Sequence, residues 1–178
     1  MKSMFVLRFA TFAIALALGL TPRANAAVRA LGPGDAVPTF TYTLLNGHVL
    51  KSKDLAGKPH VLWLVTTWCS SCQAGSSVVA DHIDELRQSG VRIVEMRIAQ
   101  DLGAPGPGLK GFRKAVGKRA DSPNWYWGEL TDEQSLALDP KGLADIYYLV
   151  DAHGRIVAVD GNPAVSWDRI AKFSSTGK

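Results

Sequence analysis

The chain has 178 residues, two cysteines and a formal net charge of +4. Lys2, Arg8 and Arg23 precede Ala27 with no acid among them, so three of those four charges sit in the first 26 residues and the rest carries +1. A balance that close to neutral withdraws the compositional support for nucleic-acid binding, and no internal repeat points to a solenoid.

Behind Lys2 and Arg8 an apolar run extends from Phe9 to Leu20. Pro22 then breaks it, and Ala24-Asn25-Ala26 fits a small-residue cleavage pattern. Residues 1–26 read as a secretory signal peptide, too short and wrongly flanked for a good membrane span. The mature chain is expected to begin at Ala27, to lie in the periplasm with no stable membrane span, and to form one domain over residues 27–178. About 150 residues suffice for one domain with its own core.

Phe40, Tyr42 and Leu44 alternate with polar neighbours, and Asn46-Gly47 signals a hairpin ahead of Val49 and Leu50. Pro59 introduces HVLWLVTT, a continuous apolar run that predicts a central strand buried on both faces. Cys69 follows it directly. From Ser71 the apolar period becomes helical through Val79, Ile83 and Leu86, with Gly90 as the stop. VRIVEMRIA is again strand-like, so the cysteines sit at the first turn of a βαβ unit.

Residues 100–108 are Gly/Pro-rich and read as loop. A helix follows with Leu109, Phe112 and Val116 on one stripe and Lys110, Arg113, Lys114, Lys118 and Arg119 on a solvated face. NWYWGEL suggests another strand with Trp125 and Trp127 in the core. Ile146–Val150 and Arg155–Val159 read as two strands around an Asp151–Gly154 turn, and Pro163–Phe173 as a closing helix.

Cys69 and Cys72, three apart, admit three chemistries. A structural staple across so few residues is worth only about 2 kcal/mol. Zinc needs four ligands, and His48, His60, His82 and His153 are scattered with no second pair at ligand spacing. Redox exchange fits the context best, because a helix N-terminus offers unpaired N–H groups and a positive dipole end that stabilise a thiolate. Cys69 would then be the nucleophile and Cys72, one turn on, the resolving thiol. A non-enzymatic copper carrier using the two thiolates remains the competing class.

Trp68-Cys69-Ser70-Ser71-Cys72 after an apolar strand resembles the thioredoxin superfamily's Trp-Cys-x-x-Cys site. The leader, the segment GDAVPTFTYTLLNGHVLKSKDLAGKP and the hairpin YYLVDAHGRIV are similar to periplasmic TlpA-like thiol–disulfide oxidoreductases. The resemblance implies an α/β thioredoxin-like fold, a central mixed sheet flanked by helices with an N-terminal β-hairpin. It also implies disulfide exchange with protein thiols of the cell envelope, an unidentified redox recycling partner, a monomer, and no cofactor or metal. Trp68 would shield the site.

The chain departs from the family's pattern at three positions. Asp145 stands where relatives place a cis-proline, Gly75 where they often place Glu, and Trp63 where thioredoxin buries an acid. If Asp145 faces the sulfurs, its carboxylate disfavours the Cys69 thiolate and makes the pair more reducing. SCO-type copper chaperones also lack the proline but use cysteines four apart and a downstream His. Peroxiredoxins share Thr66, three before the Cys, but have Pro where this chain has Leu62.

Overall fold

A computed structural model of the protein describes residues 29–176; the leader 1–26 and its cleavage site lie outside them. Strand β1 (Thr41–Leu44) turns through Asn46-Gly47 into β2 (Val49–Lys51), the predicted N-terminal hairpin. β3 (His60–Val65) is buried at every position and is followed by α1 (Ser70–Asp81), α2 (Ile83–Gln88) and β4 (Arg92–Arg97), parallel to β3. α3 (Gly108–Val116) leads to β5 (Trp125–Glu129), and α4 (Asp132–Leu138) to β6 (Asp145–Val150), which returns antiparallel to β3. β7 (Ile156–Asp160) and α5 (Pro163–Thr176) complete the chain.

The seven strands form one mixed sheet in the order β2-β1-β5-β4-β3-β6-β7. Alternation along β3 sends successive side chains to opposite faces. Val61, Trp63 and Val65 pack beneath α1, α3 and α5 with Cys72, Val79, Phe112 and Phe173. Leu62 and Leu64 pack on the other face with Tyr42, Leu138 and Tyr148. This is the thioredoxin-like α/β fold that the resemblance implies.

The local differences have physical causes. The helix expected from Ser71 to Gly90 is two helices, because His82 takes φ −107° and ψ 12° between them. α4 has no predicted counterpart. Its signal is a capping box, in which Thr131 accepts from the Gln134 backbone N–H and the Gln134 side chain accepts from that of Thr131. The predicted basic face is divided: α3 ends at Val116, so Lys118 and Arg119 lie in a separate 3-10 turn, Lys118–Asp121. There Arg119 donates to the Ala80 and Asp81 carbonyls at the end of α1, while Arg113 on α3 pairs with Asp121. Trp125 and Trp127 are buried and stacked, 4.8 Å between ring centres, as predicted for core.

Candidate active site

β3 ends at the sheet's C-terminal rim and delivers Thr66, Thr67 and Trp68 to the start of α1. The segment after β4 holds them there. Gln100, Asp101 and Leu102 all take left-handed backbone angles (φ 53°, 51° and 56°), so the stretch predicted as featureless loop contains a tight turn. Left-handed geometry costs non-glycine residues about 1–2 kcal/mol each, and the contacts of buried Asp101 offset that cost. Its carboxylate accepts from Thr67 N–H and Thr67 Oγ, both at 2.8 Å, and pairs with Arg97 at 3.3 Å. Its carbonyl accepts from Trp68 Nε1 at 2.7 Å. Trp68 is therefore fixed by one edge and 44% exposed, a lip beside the cysteines rather than a core residue. Gly106 brings the following loop against the same turn, where a Cβ would lie 2.2 Å from Thr67 Oγ1.

Cys69 is the N-cap of α1 and is bonded to Cys72 as a disulfide, with their Cα atoms 5.3 Å apart. The Cys72 backbone N–H donates to Cys69 Sγ at 3.1 Å, so one of the free amides of the first turn already points at that sulfur. Cys69 keeps a 7% exposed edge, whereas Cys72 is fully buried. Cys72 Sγ lies 3.1 Å from the Ala144 carbonyl. A reduced Cys72 would donate its S–H there, and an acceptor at that distance favours thiol over thiolate. The two sulfurs thus occupy chemically unequal places.

Asp145 opens β6 opposite Val65 and turns its carboxylate to the disulfide. Oδ2 accepts from Ser71 Oγ at 2.6 Å, and that oxygen lies 3.1 Å from Cys69 Sγ. Oδ1 accepts from Trp63 Nε1 at 2.8 Å. Cys69, Cys72 and Asp145 bring one donor atom each within 4.8 Å of one another. Three donors are one short of a closed zinc site. Trp63 also accounts for Gly75: a Cβ at 75 would lie 2.8 Å from both Trp63 Cη2 and Pro163 Cδ. The indole fills the space that a longer side chain at 75 would need.

Sequence reasoning missed Ser71, Asp101 and, above all, Glu95. Glu95 pairs with Trp63 across β3 and β4, so the site does have a buried acid, one strand over from the position where it was sought. Burial pushes its carboxyl well above the usual range, against hydrogen bonds from Ser76 and Trp125, and the nearby Asp145 charge pushes it further up. Ser76 Oγ lies 2.9 Å from both Glu95 Oε1 and the Cys72 carbonyl. One hydroxyl proton is thus placed between two acceptors, and a carboxyl held neutral by burial could donate to Ser76 Oγ and free that proton for the Cys72 carbonyl. Trp125 Nε1 donates to the other carboxyl oxygen at 3.0 Å. The only hint in the sequence is an acid inside the apolar run VRIVEMRIA. The histidines stay apart from the site: buried His60 contacts the Lys58 carbonyl, and His82 stacks on Trp167.

The sheet order, with a disulfide at a helix N-terminus, is that of a thioredoxin-like fold. Within it, residues 33–101 match the AhpC/TSA family. The chain is 44% identical over 64 residues to the soluble secreted antigen MPT53 of Mycobacterium tuberculosis and Mycobacterium bovis, a segment covering 35% of this chain and 33% of those proteins. The match therefore spans about a third of the curated relatives' length. Among solved structures, the thioredoxin domain of a Bacteroides vulgatus thiol-disulfide oxidoreductase superposes with a TM-score of 0.64 at 19% identity. That superposition covers 82% of this chain and 99% of that one. A secreted Mycobacterium tuberculosis disulfide oxidoreductase gives 0.60 at 22% identity, over 76% of this chain and 94% of that one. Identities this low carry the fold and no more.

Proposed function

We propose that this chain is an exported thiol–disulfide oxidoreductase that exchanges disulfides with protein partners in the periplasm. The observation that carries the reading is the inequality of the sulfurs: Cys69 has an exposed edge and a helix-terminal N–H donor, and Cys72 is buried against a carbonyl. The Cys69 thiolate attacks one sulfur of a partner disulfide, forming a mixed disulfide and expelling the partner's other sulfur as a thiolate. Cys72 loses its proton and attacks Cys69 Sγ, closing the internal disulfide and releasing the partner's remaining sulfur. The partner gains two electrons and the pair loses two; a recycling protein reverses the change, and the same steps run backwards oxidise a dithiol.

Cys72→Ser should accumulate mixed disulfides through Cys69, seen as heavier species that collapse on adding reductant, while Cys69→Ser forms none. Absence of any adduct in the Cys72→Ser variant overturns the assignment. Copper carriage draws on no observation besides the two sulfurs, since the third donor beside them is a carboxylate, a hard ligand that suits soft copper poorly. A copper titration of reduced protein beside an insulin-disulfide reduction assay separates the two readings.

Export is supported by the composition of residues 1–26 and by relatives whose names call them secreted. No helix among the described residues is long and apolar enough to cross a membrane. N-terminal sequencing of protein from the cell envelope should read Ala27 first. An intact Met1 on membrane-bound protein would mean an anchor instead.

A further inference from the structure

The geometry points to a proton relay, Cys69–Ser71–Asp145, that makes ionisation of the attacking thiol depend on the Ser71 hydroxyl. It rests on the proposed attack by Cys69 and assigns Ser71 as a positioning residue for it. Ser71 Oγ sits between two acceptors, 2.6 Å from Asp145 Oδ2 and 3.1 Å from Cys69 Sγ, and it has one proton to give. An ionised carboxylate holds that proton, which turns an oxygen lone pair toward Cys69 and welcomes an S–H. For the thiolate to form within the relay, the Cys69 proton passes to Ser71 Oγ as the Ser71 proton passes to Asp145 Oδ2. The site then holds Cys69 S⁻ accepting from Ser71, and a neutral Asp145 donating to Ser71. The negative charge has moved from Asp145 to sulfur and the proton count is unchanged.

Trp63 Nε1 makes the relay directional. It occupies Asp145 Oδ1, leaving Oδ2 as the oxygen that faces Ser71. The other titratable groups around the site are Glu95 from β4 and Tyr147 from β6, both coupled to the Asp145 charge, and Asp101 with its Arg97 partner beneath Thr67. The first proton lost from the relay leaves its charge mainly on Asp145, the stronger acid, with only a minor share reaching Cys69 through Ser71. The second places charges on both, less than 5 Å apart in a half-buried site, and is therefore deferred to higher pH.

The test is the rate of iodoacetamide alkylation of Cys69 against pH, in the reduced full chain carrying Cys72→Ser so that one thiol reports. The expected profile has two steps. Asp145→Asn should collapse it to one step and raise alkylation about tenfold at pH values below the original upper step. The amide explains why: its oxygen accepts from Trp63, its nitrogen donates to Ser71 Oγ, and Ser71 is left to donate to the thiolate. Ser71→Ala should move the upper step to higher pH and erase the lower plateau, and Ser71→Thr, which keeps a hydroxyl, should restore it. In the Ser71→Ala background, Asp145→Asn should shift the profile by less than half as much, because only the through-space charge is left to remove. Equal shifts with and without the Ser71 hydroxyl, or a Ser71→Ala profile identical to the parent, overturn the relay. The readout needs no partner protein, so its failure is distinct from failure of the exchange reading, which is scored by mixed-disulfide trapping.

Discussion

Gly75→Ala should destabilise the protein by up to about 2 kcal/mol net, although alanine is the better helix former. The new methyl group would lie 2.8 Å from Pro163 Cδ and 2.8 Å from Trp63 Cη2. Neither neighbour yields easily: Pro163 is the rigid first residue of α5, and the Trp63 indole is tied to Asp145 through Nε1. Overpacking against two ring systems outweighs the helix-propensity gain of about 1 kcal/mol. For a domain of this size each kcal/mol lowers Tm by about 2–4 °C. The diagnostic measurement is thermal unfolding of the double variant Gly75→Ala with Trp63→Phe, since phenylalanine lacks the far ring atoms that clash. The double variant should be more stable than the sum of the two single losses predicts. Strict additivity would mean that the methyl is accommodated elsewhere and that Trp63 is not what excludes a side chain at 75.

The same pair of residues marks where the sequence stops being informative. The apolar run HVLWLVTT, the cysteines after it and the Asn-Gly hairpin are local signals, and they suffice for the fold and for the position of the sulfurs. The meaning of Trp63 and Gly75 is not local, because each is explained only by the other's place across the β3–α1 contact. Ser71 becomes chemically interesting only when Asp145, 74 residues away, opens β6 beside it. Asp145 itself could be picked out because it interrupts a family pattern, but its two hydrogen-bond donors could not. Glu95 was hidden by its own strand: a run buried on both faces reads as apolar, and one acid within it carries no sign of the Ser76 and Trp125 side chains that hold it. The left-handed turn at 100–102 defeats prediction for another reason. Three successive non-glycine residues in that conformation run against propensity, and tertiary contacts, chiefly those of Asp101, stabilise it.

Glu95→Gln should raise stability above the usual carboxyl range, by an amount that grows with pH. The Glu95 carboxyl is held well above its ordinary value, first by burial and further by the Asp145 charge, while Ser76 and Trp125 act against the shift. The unfolded chain releases this proton near pH 4.3, whereas the folded chain retains it to higher pH. The folded state therefore binds more protons in that window. Its advantage is complete below the unfolded value and is lost as pH rises toward the folded one, at up to about 1.4 kcal/mol per pH unit. His60 has the opposite sign: burial lowers its value, so stability is gained as pH rises toward about 6.5 and is level beyond. The wild-type curve alone mixes the two, and the difference between wild type and variant isolates Glu95. Glutamine preserves the local bonding, its amide donating to Ser76 Oγ and its oxygen accepting from Trp125, so the core should not rearrange. Urea midpoints measured from pH 4 to pH 8 should show the variant and wild type close at the acid end and diverging steadily above pH 5, with the variant more stable. A constant gap across that range, or a variant that loses stability as pH rises, would mean that Glu95 is ionised in the fold and that Ser76 donates to it rather than to the Cys72 carbonyl.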